Sequence, residues 1–413
     1  MKAEIISTGT ELLLGKTLNT SVFYLTGQLS GMGIEVIYHH TVGDNKERLL
    51  LAVNQALSRS QLVILTGGLG PTADDLTKEV IALVLGLKMD FDRKSMANIE
   101  KFYAHESDLP PGSENQAFFP KGAKILPNDV GTAPGALMEK DGKYCLILPG
   151  PPSEMEPMFE RYVIPELNTI MNNVKERMYV RVLKVFGLGE SELEQELPDL
   201  MQWEEPFLTL LDKHTHMDVR ISIRSSDQDL AWQKINETES LIRQRLGSKV
   251  FGVDEETHSR VVGNLLRSYK LTLATAESCT GGLLGERITA EAGSSDYYLG
   301  GVISYANSAK EKLLGVSKTS LLEEGAVSAK VAGQMAEGAR RALGADLALA
   351  TTGIAGPGGG TPQKPVGLVY IGLAHPRGTK VEKFQFAGHR DSIRNMTVET
   401  ALNMLREFLL IYK

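Results

Sequence analysis

One serine in this chain stands where a hydroxyl could act as a nucleophile. Ser278 follows an apolar, β-prone run, 271–276, and precedes the glycine pair 281–282 and a helix-like run, 283–289. A strand that ends at a serine before a glycine turn and a helix predicts a hydroxyl at a sheet edge, facing N–H groups that can receive an oxyanion. The alternative is a plain strand-to-helix turn in which Thr280 is the N-cap.

A second glycine-rich turn weakens that plain interpretation. The run 351–360, Thr-Thr-Gly-Ile-Ala-Gly-Pro-Gly-Gly-Gly, follows another apolar strand-like run, 347–350. Two turns of the same chemical type, each at the end of a strand, favour a site rather than a coincidence of loop composition.

The serine needs a base, because a free hydroxyl is a poor nucleophile at neutral pH. His375 and His389 lie in polar segments without an evident carboxylate partner. Lys310 is the alternative: a lysine desolvated between glycine loops can lose its proton near pH 7 and accept one from Ser278. A surface lysine on a helix is the commoner interpretation of Lys310 from sequence alone.

Two further groups compete for roles near this serine. Cys279 is the other possible nucleophile, but adjacent residues on an extended turn point to opposite sides, so we favour a buried thiol there. Arg390 and Arg394 lie one turn apart near the start of the last predicted helix, and either guanidinium could grip a phosphate. A solvated helix face explains both arginines equally well.

Carboxylates mark a different site near the N-terminus. The buried strand predicted at 62–65 runs into Thr66-Gly67-Gly68-Leu69-Gly70-Pro71-Thr72-Ala73-Asp74-Asp75. The glycines let a backbone approach a phosphate closely, and two carboxylates beside a phosphate call for a hard cation such as Mg²⁺. The equally weighted alternative is that Asp74 and Asp75 only cap the following helix.

The elements around that loop predict a sheet with helices on both faces. Strands are expected near 4–7, 34–42 and 146–148, with a hairpin turn at 141–142, and Asp44 with Glu47 forms an acidic capping box for a helix to Arg59. Ligands bind at the carboxyl ends of strands in such sheets. Four loops should therefore face one crevice, at 9–11, 42–45, 67–75 and 149–154.

Composition limits the class of protein. The chain has 413 residues, 42% of them hydrophobic and 23% charged, which indicates two or three globular domains. No apolar run approaches the roughly 18 residues of a membrane span, two distant cysteines imply no disulfide framework, and a cytoplasmic location is expected. The net charge of -7 argues against a nucleic-acid-binding protein as a whole.

The middle segment predicts a small two-layer domain in the order β-α-β-β-α after a linker at 171–177. A K homology (KH) RNA clamp needs a Gly-x-x-Gly loop, and Gly187-Leu188-Gly189-Glu190 does not supply it. A helix with four glutamates, at 190–200, would repel RNA. We therefore expect a spacer or dimer contact here rather than an RNA site.

Three motifs in the first part resemble the CinA family of competence/damage-inducible proteins: 9–15, 66–75 and 149–154. The resemblance extends in order over essentially the whole chain, with a KH-type middle region. It implies a molybdopterin-binding-like domain that hydrolyses ADP-ribose with a divalent metal. The implied metal ligands are Asp44, Asp74 and Asp75, and the implied substrate contacts are Gly9, Thr10, Glu11, Gly67, Gly68, Gly70, Thr72, Pro149 and Gly150.

The C-terminal part resembles the nicotinamide mononucleotide deamidase of the same family, through 276–282, Tyr305, Lys310, 353–357 and Arg390. This implies hydrolysis of the carboxamide to nicotinic acid mononucleotide and ammonia, without a metal. Ser278 would attack, Lys310 would act as base and Tyr305 would assist. Substrate would meet Thr280, Gly281, Gly282, Gly353, Ile354, Ala355, Gly356 and Arg390. Relatives often carry Asp at the position of His389.

Together these patterns predict an α/β multidomain protein: a doubly wound MogA-like domain at 1–170, a small α+β KH-type domain at 171–252 and an α/β domain at 253–413. The expected function is a bifunctional enzyme of pyridine nucleotide recycling, and we also expect a homodimer, from small-residue helix faces. The alternative is a non-catalytic nucleotide- or molybdopterin-binding protein linked to DNA uptake or damage.

Overall fold

The computed structural model describes residues 1–104, 109–171 and 177–412. The chain divides into two compact units. Unit 1 comprises Met1–Val180 with Ile223–Trp232, and unit 2 comprises Arg181–Ser222 with Gln233–Lys413. The linker predicted at 171–177 falls, for residues 172–176, outside the described residues. Within the described ranges, no helix combines the length and the apolar character that crossing a bilayer requires.

Unit 1 is a six-stranded sheet, in the order β2-β1-β3-β8-β7-β6, with helices on its faces. The first four strands in that order are parallel. Its elements are β1 (Lys2–Thr8), α1 (Thr10–Leu13), α2 (Thr20–Gly31), β2 (Glu35–Val42), α3 (Lys46–Arg59), β3 (Leu62–Thr66), α4 (Thr77–Leu85), β4 (Met89–Phe91), α5 (Arg93–Phe102), β5 (Phe118–Pro120), β6 (Lys124–Leu126), β7 (Gly135–Lys140), β8 (Lys143–Leu148), α6 (Pro152–Met158) and α7 (Ile164–Met171).

The central strands of this sheet show why a sheet with helices on both faces could be predicted from the sequence. All five residues of β3 are buried, because both faces of a parallel sheet are covered by helices. The predicted hairpin is confirmed: Asp141 and Gly142 both have positive φ and join the antiparallel strands β7 and β8. Parallel pairing brings the carboxyl ends of β1, β2, β3 and β8 to one edge.

A four-stranded sheet follows, in the order β10-β11-β9-β12. The predicted β-α-β-β-α order is confirmed, and a fourth strand that the sequence did not indicate, β12, pairs antiparallel with β9. The elements are β9 (Arg177–Val185), α8 (Glu190–Glu196), β10 (Phe207–Asp212), β11 (Met217–Ser225), α9 (Gln228–Leu246) and β12 (Val250–Val253).

The remainder of unit 2 is a five-stranded sheet in the order β14-β13-β15-β16-β17. The first three strands are parallel, and two apolar clusters cover its two faces. Its elements are α10 (His258–Tyr269), β13 (Leu273–Glu277), α11 (Leu283–Thr289), β14 (Tyr298–Ile303), α12 (Asn307–Leu314), α13 (Lys318–Glu323), α14 (Ala329–Leu343), β15 (Leu347–Gly353), β16 (Leu368–His375), β17 (Gly378–Gln385) and α15 (Arg390–Leu410). The predicted multidomain α/β class is confirmed.

The small residues of α14 pack within unit 2. Gly333, Ala336, Gly338 and Ala339 are buried, and a Cβ added at Gly338 would lie 2.1 Å from the carbonyl oxygen of Leu314. Glycine at this position lets α14 approach α12 closely. The helix face that suggested a homodimer is therefore used inside the chain.

One predicted helix cap, Asp44, and one alternative cap, Thr280, are wrong by one or two residues. Asn45, not Asp44, caps α3 and accepts from the N–H of Arg48. Helix α11 begins after Gly282, which has φ +101°, and not after Thr280. In both cases the side chain that was expected to act as the cap forms a hydrogen bond with a residue remote in sequence, and this bond outweighs the local cap.

Candidate functional site

Ser278 and Lys310 are in direct contact. Lys310 Nζ donates to Ser278 Oγ at 2.9 Å, although 32 residues separate them in the sequence. The sheet brings them together, because β13 and β14 are parallel and end side by side at Glu277 and Ile303. Ser278 follows the first of these ends, and the segment leading to Lys310 follows the second.

The amine of Lys310 is enclosed by backbone carbonyls and not by carboxylates. The side chain is 1% exposed, and Nζ also donates to the carbonyl oxygens of Ser304 at 2.6 Å and Tyr305 at 3.1 Å. Burial lowers the pKa of Lys310 from its ordinary value, since desolvation disfavours the charged form. The alternative of a solvated surface lysine is therefore wrong.

Of the adjacent residues Ser278 and Cys279, the cysteine is the weaker candidate for the nucleophile. Cys279 is buried, and desolvation raises its pKa to about 12. A thiol attacks only as the thiolate, and a raised pKa disfavours the thiolate at neutral pH. The predicted choice of a buried structural thiol at Cys279 is confirmed.

The start of α11 is already occupied by a carboxylate of the protein. Glu277 is 2% exposed, and its carboxylate accepts from the N–H groups of Gly282 at 2.8 Å, Leu284 at 3.0 Å and Gly285 at 2.8 Å. A carboxylate is the group that a helix N-terminus prefers. The expectation that the Gly282 N–H would receive a substrate oxyanion is therefore wrong for this arrangement, because Glu277 holds that N–H.

The second glycine turn, which includes the end of β15, is hydrogen-bonded to the turn that carries Ser278. The N–H of Ser278 donates to the carbonyl of Thr351, and the hydroxyls of Thr280 and Thr351 share a 2.7 Å hydrogen bond. The N–H of Ile354 is committed to the carbonyl of Leu368. Within the described chain, the N–H of Gly281 has no protein acceptor in hydrogen-bond range, so it stays available to a ligand.

Arg390 contacts the second glycine turn and Tyr305. Its guanidinium donates to the carbonyl of Gly356 at 2.8 Å and, more weakly, to Tyr305 Oη at 3.5 Å. Tyr305 is 64% exposed, so its ring and hydroxyl face solvent while its carbonyl binds Lys310. Arg390 and Tyr305 thus form an exposed, partly cationic rim beside Ser278.

Two residues flanking this rim have structural tasks. Arg394 donates to the carbonyl of Thr280 at 2.7 Å and so ties the serine turn to α15. His389 is the N-cap of α15, and its Nδ1 accepts from the N–H of Ser392 at 3.3 Å. Aspartate is a preferred N-cap residue, so an Asp at this position would fill the same capping role as His389.

Unit 1 has an open cavity of about 650 Å³ at the carboxyl ends of its parallel strands. All four loops predicted to face one crevice contribute to it. The predicted residues that line it are Gly9, Glu11, Asp44, Gly67, Gly68, Gly70, Thr72, Asp74, Asp75, Pro149 and Gly150. Thr10 is absent from that lining, and its N–H and hydroxyl bind Asp44 instead, at 3.0 and 2.8 Å.

The aspartates of this cavity do not cap α4. Asp75 accepts from both the N–H and the hydroxyl of Thr72, at 2.9 and 2.6 Å, and helix α4 begins at Thr77 without a side-chain cap. Asp74 is exposed. Asp44 and Asp75 each accept hydrogen bonds through Oδ2, and among the described residues no donor binds their Oδ1 atoms, which could therefore face a ligand.

The glycines of the loop are required by the protein itself as much as by a ligand. Gly67 and Gly68 have φ of +98° and +66°, and added Cβ atoms would lie 2.5 Å from Thr8 O and 2.4 Å from Thr77 Oγ1. Glycine alone fits this packing at a positive φ. The loop is therefore fixed before any ligand arrives.

The charges lining the cavity bear on the expected metal. Five carboxylates line it and no lysine, arginine or histidine does, among the residues that the structure describes: Glu11, Asp44, Asp74, Asp75 and Glu154. No group of three or more metal-ligating side chains is assembled within the described ranges. Mg²⁺ commonly binds through one or two carboxylates and the phosphates of a substrate, and the free oxygens of Asp44 and Asp75 fit that mode.

Several lining residues were missed by the sequence reasoning. Gln116 lies in a short 3-10 helix, 113–117, and Thr132 lies in an irregular segment, so neither carries a periodic or turn signal. By contrast, Glu154 belongs to the loop 149–154 that was predicted to face the crevice, and its Oε2 accepts from Asn128 at 2.6 Å. A contact between segments remote in sequence has no local signature.

Three family models match successive parts of the chain. Residues 4–169 match "Probable molybdopterin binding domain", residues 180–252 match "Damage-inducible protein CinA KH domain" and residues 255–409 match "CinA C-terminal domain". The three matches together cover nearly the whole length.

Full-length relatives agree with these matches. The chain is 48% identical over 411 residues, 99% of both chains, to a competence-damage inducible protein of Thermoanaerobacter pseudethanolicus. It is 46% identical over 410 residues, 99% of this chain and 98% of the other, to one of Caldanaerobacter subterraneus subsp. tengcongensis. A CinA-like protein of Kosmotoga olearia is 46% identical over 412 residues, 99% of both chains.

Proposed function

We propose that this chain, which belongs to the CinA family of competence/damage-inducible proteins, hydrolyses pyridine nucleotides at two separate sites. In unit 2 the proposed reaction is the conversion of nicotinamide mononucleotide to nicotinic acid mononucleotide and ammonia. The observation that carries it is the 2.9 Å contact between Ser278 Oγ and the buried amine of Lys310.

The carbonyl cage around Lys310 supports a role as general base. When the amine is neutral, two N–H bonds can remain on the carbonyls of Ser304 and Tyr305. The lone pair then points to Ser278 and can accept the hydroxyl proton. Among the described residues Nζ binds two carbonyls and one hydroxyl but no carboxylate, so no paired anion stabilises the protonated amine.

In the proposed reaction, Ser278 Oγ attacks the carboxamide carbon as its proton passes to Lys310. The resulting tetrahedral oxyanion would receive a hydrogen bond from an uncommitted N–H such as that of Gly281. Lys310 returns the proton to the departing nitrogen, which leaves as ammonia. Water then hydrolyses the acyl-serine ester with the same lysine as base. Arg390 is suited to bind the substrate phosphate.

Ammonia release from nicotinamide mononucleotide by the purified full-length chain tests this proposal. Ser278→Ala should reduce the rate at least ~10³-fold, because the nucleophile is gone. Cys279→Ala is the matched control and should retain most activity. No release by the wild type, or retention by Ser278→Ala with loss in Cys279→Ala, would refute the Ser/Lys assignment.

In unit 1 we propose metal-dependent hydrolysis of ADP-ribose to AMP and ribose 5-phosphate. The carboxylate-lined cavity supports this, because an anionic diphosphate would be repelled there without a cation between the charges. Asp44 and Asp75 would hold a divalent ion such as Mg²⁺ together with the diphosphate, and Asp74, the third predicted ligand, would add negative charge beside it. The chain would supply the fixed glycine loop that orients the diphosphate.

Product analysis distinguishes this activity from binding alone. AMP formation from ADP-ribose that requires Mg²⁺ and stops on chelation is the expected result. Calorimetric binding of ADP-ribose without product would support the non-catalytic alternative, a nucleotide-binding protein linked to DNA uptake or damage.

We also propose a location and partners for this chain. We expect the substrates to be met in the cytoplasm. We expect no nucleic-acid partner for the middle domain, because Glu190, Glu194 and Glu196 are exposed on α8. The homodimer also stays a prediction, and sedimentation of the full chain tests it.

A further inference from the structure

One buried acceptor at the wall of the unit 1 cavity has no partner. Gln116 is 2% exposed and lines the cavity, and its Oε1 has no hydrogen-bond donor within the described protein. A buried amide oxygen without a donor costs free energy, so such atoms are usually paired. A ligand is one source of the missing donor.

The orientation of this amide is fixed by its neighbours. Gln116 Nε2 donates to Thr132 Oγ1 at 3.2 Å and, at the limit of hydrogen-bond range, to the carbonyl of Leu69 at 3.5 Å. A carbonyl can only accept, so exchanging the two ends of the amide would set two acceptors against each other. Leu69 and Thr132 both line the cavity, which puts the amide end of Gln116 at its wall.

A buried lysine holds the backbone of Gln116 in place. Lys78 is 5% exposed, and its Nζ donates to the carbonyls of Asn115 at 2.8 Å and Gln116 at 2.9 Å. Desolvation lowers the pKa of Lys78 to about 8, and nearby Asp75 opposes that shift. The clamp joins the short helix of Gln116 to α4 and so fixes the backbone from which the side-chain amide extends.

We propose that Gln116 is a specificity-determining residue that accepts a hydrogen bond from a hydroxyl or amino group of the nucleotide in this cavity. The inference rests on the proposed nucleotide function of unit 1 and deepens it. The metal would bind the phosphates and would not discriminate between ligands that differ elsewhere. Gln116 would select ligands that carry a donor beside the diphosphate, such as a ribose or an adenine amine.

The test measures binding to the full-length chain with Mg²⁺ by calorimetry, for wild type and Gln116→Met. Methionine keeps the length of the side chain and removes the acceptor. We expect Gln116→Met to weaken ADP-ribose about tenfold, the scale of one lost hydrogen bond. Inorganic pyrophosphate has the diphosphate without sugar or base, and its affinity should not change.

A third ligand assigns the donor. If AMP is weakened along with ADP-ribose, the donor lies in the adenosine half; if only ADP-ribose is weakened, it lies in the distal ribose. Unchanged affinity for ADP-ribose, or an equal loss for pyrophosphate, would overturn the proposal and leave Gln116 as a wall residue.

The outcome is separable from that of the proposed function. Binding of ADP-ribose without cleavage would refute hydrolysis and still test Gln116. Cleavage with unaltered affinity in Gln116→Met would refute the role of Gln116 alone. Ammonia release by unit 2 and the thermal unfolding of the variant report whether the chain is intact.

Discussion

The two candidate sites handle charge in opposite ways. In unit 2 each buried charge near the reacting groups is satisfied by the protein: Glu277 by three backbone N–H groups, and Lys310 by two carbonyls and Ser278. In unit 1 the lining of the cavity is acidic, with no basic side chain among its described lining residues. The charged groups of unit 2 thus have partners within the protein, whereas the carboxylates of unit 1 form an acidic lining that a bound cation would balance.

This difference has a consequence for how each site can be damaged. A preorganised site loses function when an internal hydrogen bond is removed, because positioning is its main contribution. A site that a metal completes loses function when a carboxylate or the metal is removed, and added metal can restore it. Substitutions at the two sites can therefore separate these two behaviours.

Removing the base should have the largest effect. Lys310→Met should lower ammonia release at least ~10³-fold, and Lys310→Arg should be as inactive because arginine does not deprotonate. In the wild type, kcat/KM should rise with pH through the lowered pKa of Lys310, since only the neutral amine can accept the serine proton. An active Lys310→Arg variant would contradict the general-base role.

Replacing Glu277 should have the next largest effect. Glu277→Gln keeps the shape but puts an amide nitrogen, which cannot accept, against N–H groups of α11. We expect kcat for the deamidation to fall ~10- to 100-fold with little change in KM, because the serine turn loses its anchor. Glu286→Gln, on the exposed side of the same helix, is the matched control. Equal losses in both variants would make the effect one of general helix charge.

Neutralising one aspartate of unit 1 should have a smaller and reversible effect. Asp75→Asn can still accept from Thr72 but lacks the charge that would bind metal. The Mg²⁺ concentration for half-maximal ADP-ribose cleavage should rise ~10-fold, and excess Mg²⁺ should restore the rate. Asp141→Asn, at the β7–β8 turn, should not change it. Loss of the unit 2 activity in Asp75→Asn would argue against independent sites.

The smallest expected effect concerns a buried histidine of unit 2. His258 is 1% exposed, its Nδ1 bonds Glu399 at 2.8 Å and its Nε2 has no partner among the described residues. Burial lowers its pKa from 6.5, and Arg406 and His216 add to this while Glu399 opposes it. The folded state therefore favours neutral His258, and this contribution to stability is present above pH 6.5 and lost as the pH falls.

Thermal unfolding between pH 7.5 and 5.5 checks this expectation. The wild type should lose on the order of 1 kcal/mol of stability, and His258→Gln should show a flatter dependence on pH whatever its absolute stability. An identical slope in the two proteins would assign the acid sensitivity to other groups.

Much of the fold follows from local sequence patterns. The buried run of β3, the positive-φ turn at Asp141–Gly142 and the long helices α14 and α15 each follow from rules that act within a few residues. The residue types of Ser278 and Lys310 allowed a serine–lysine pair, but a surface lysine was the commoner interpretation and the family resemblance implied the pair. Parallel strands end at one edge, so local rules extend to predicting which loops meet.

Which polar groups at those loops remain available to a ligand depends on the tertiary structure. The sequence offered the N–H of Gly282 to a substrate and Asp44 to a helix cap, but the fold gives the first to Glu277 and the second to Thr10. The side chain of Gln116 forms a hydrogen bond with Leu69, 47 residues away in the sequence, and no periodic pattern predicts this contact. Hydrogen bonds are pairwise and short-ranged, so their partners are set by strand order and register, which composition and spacing along the chain do not encode locally.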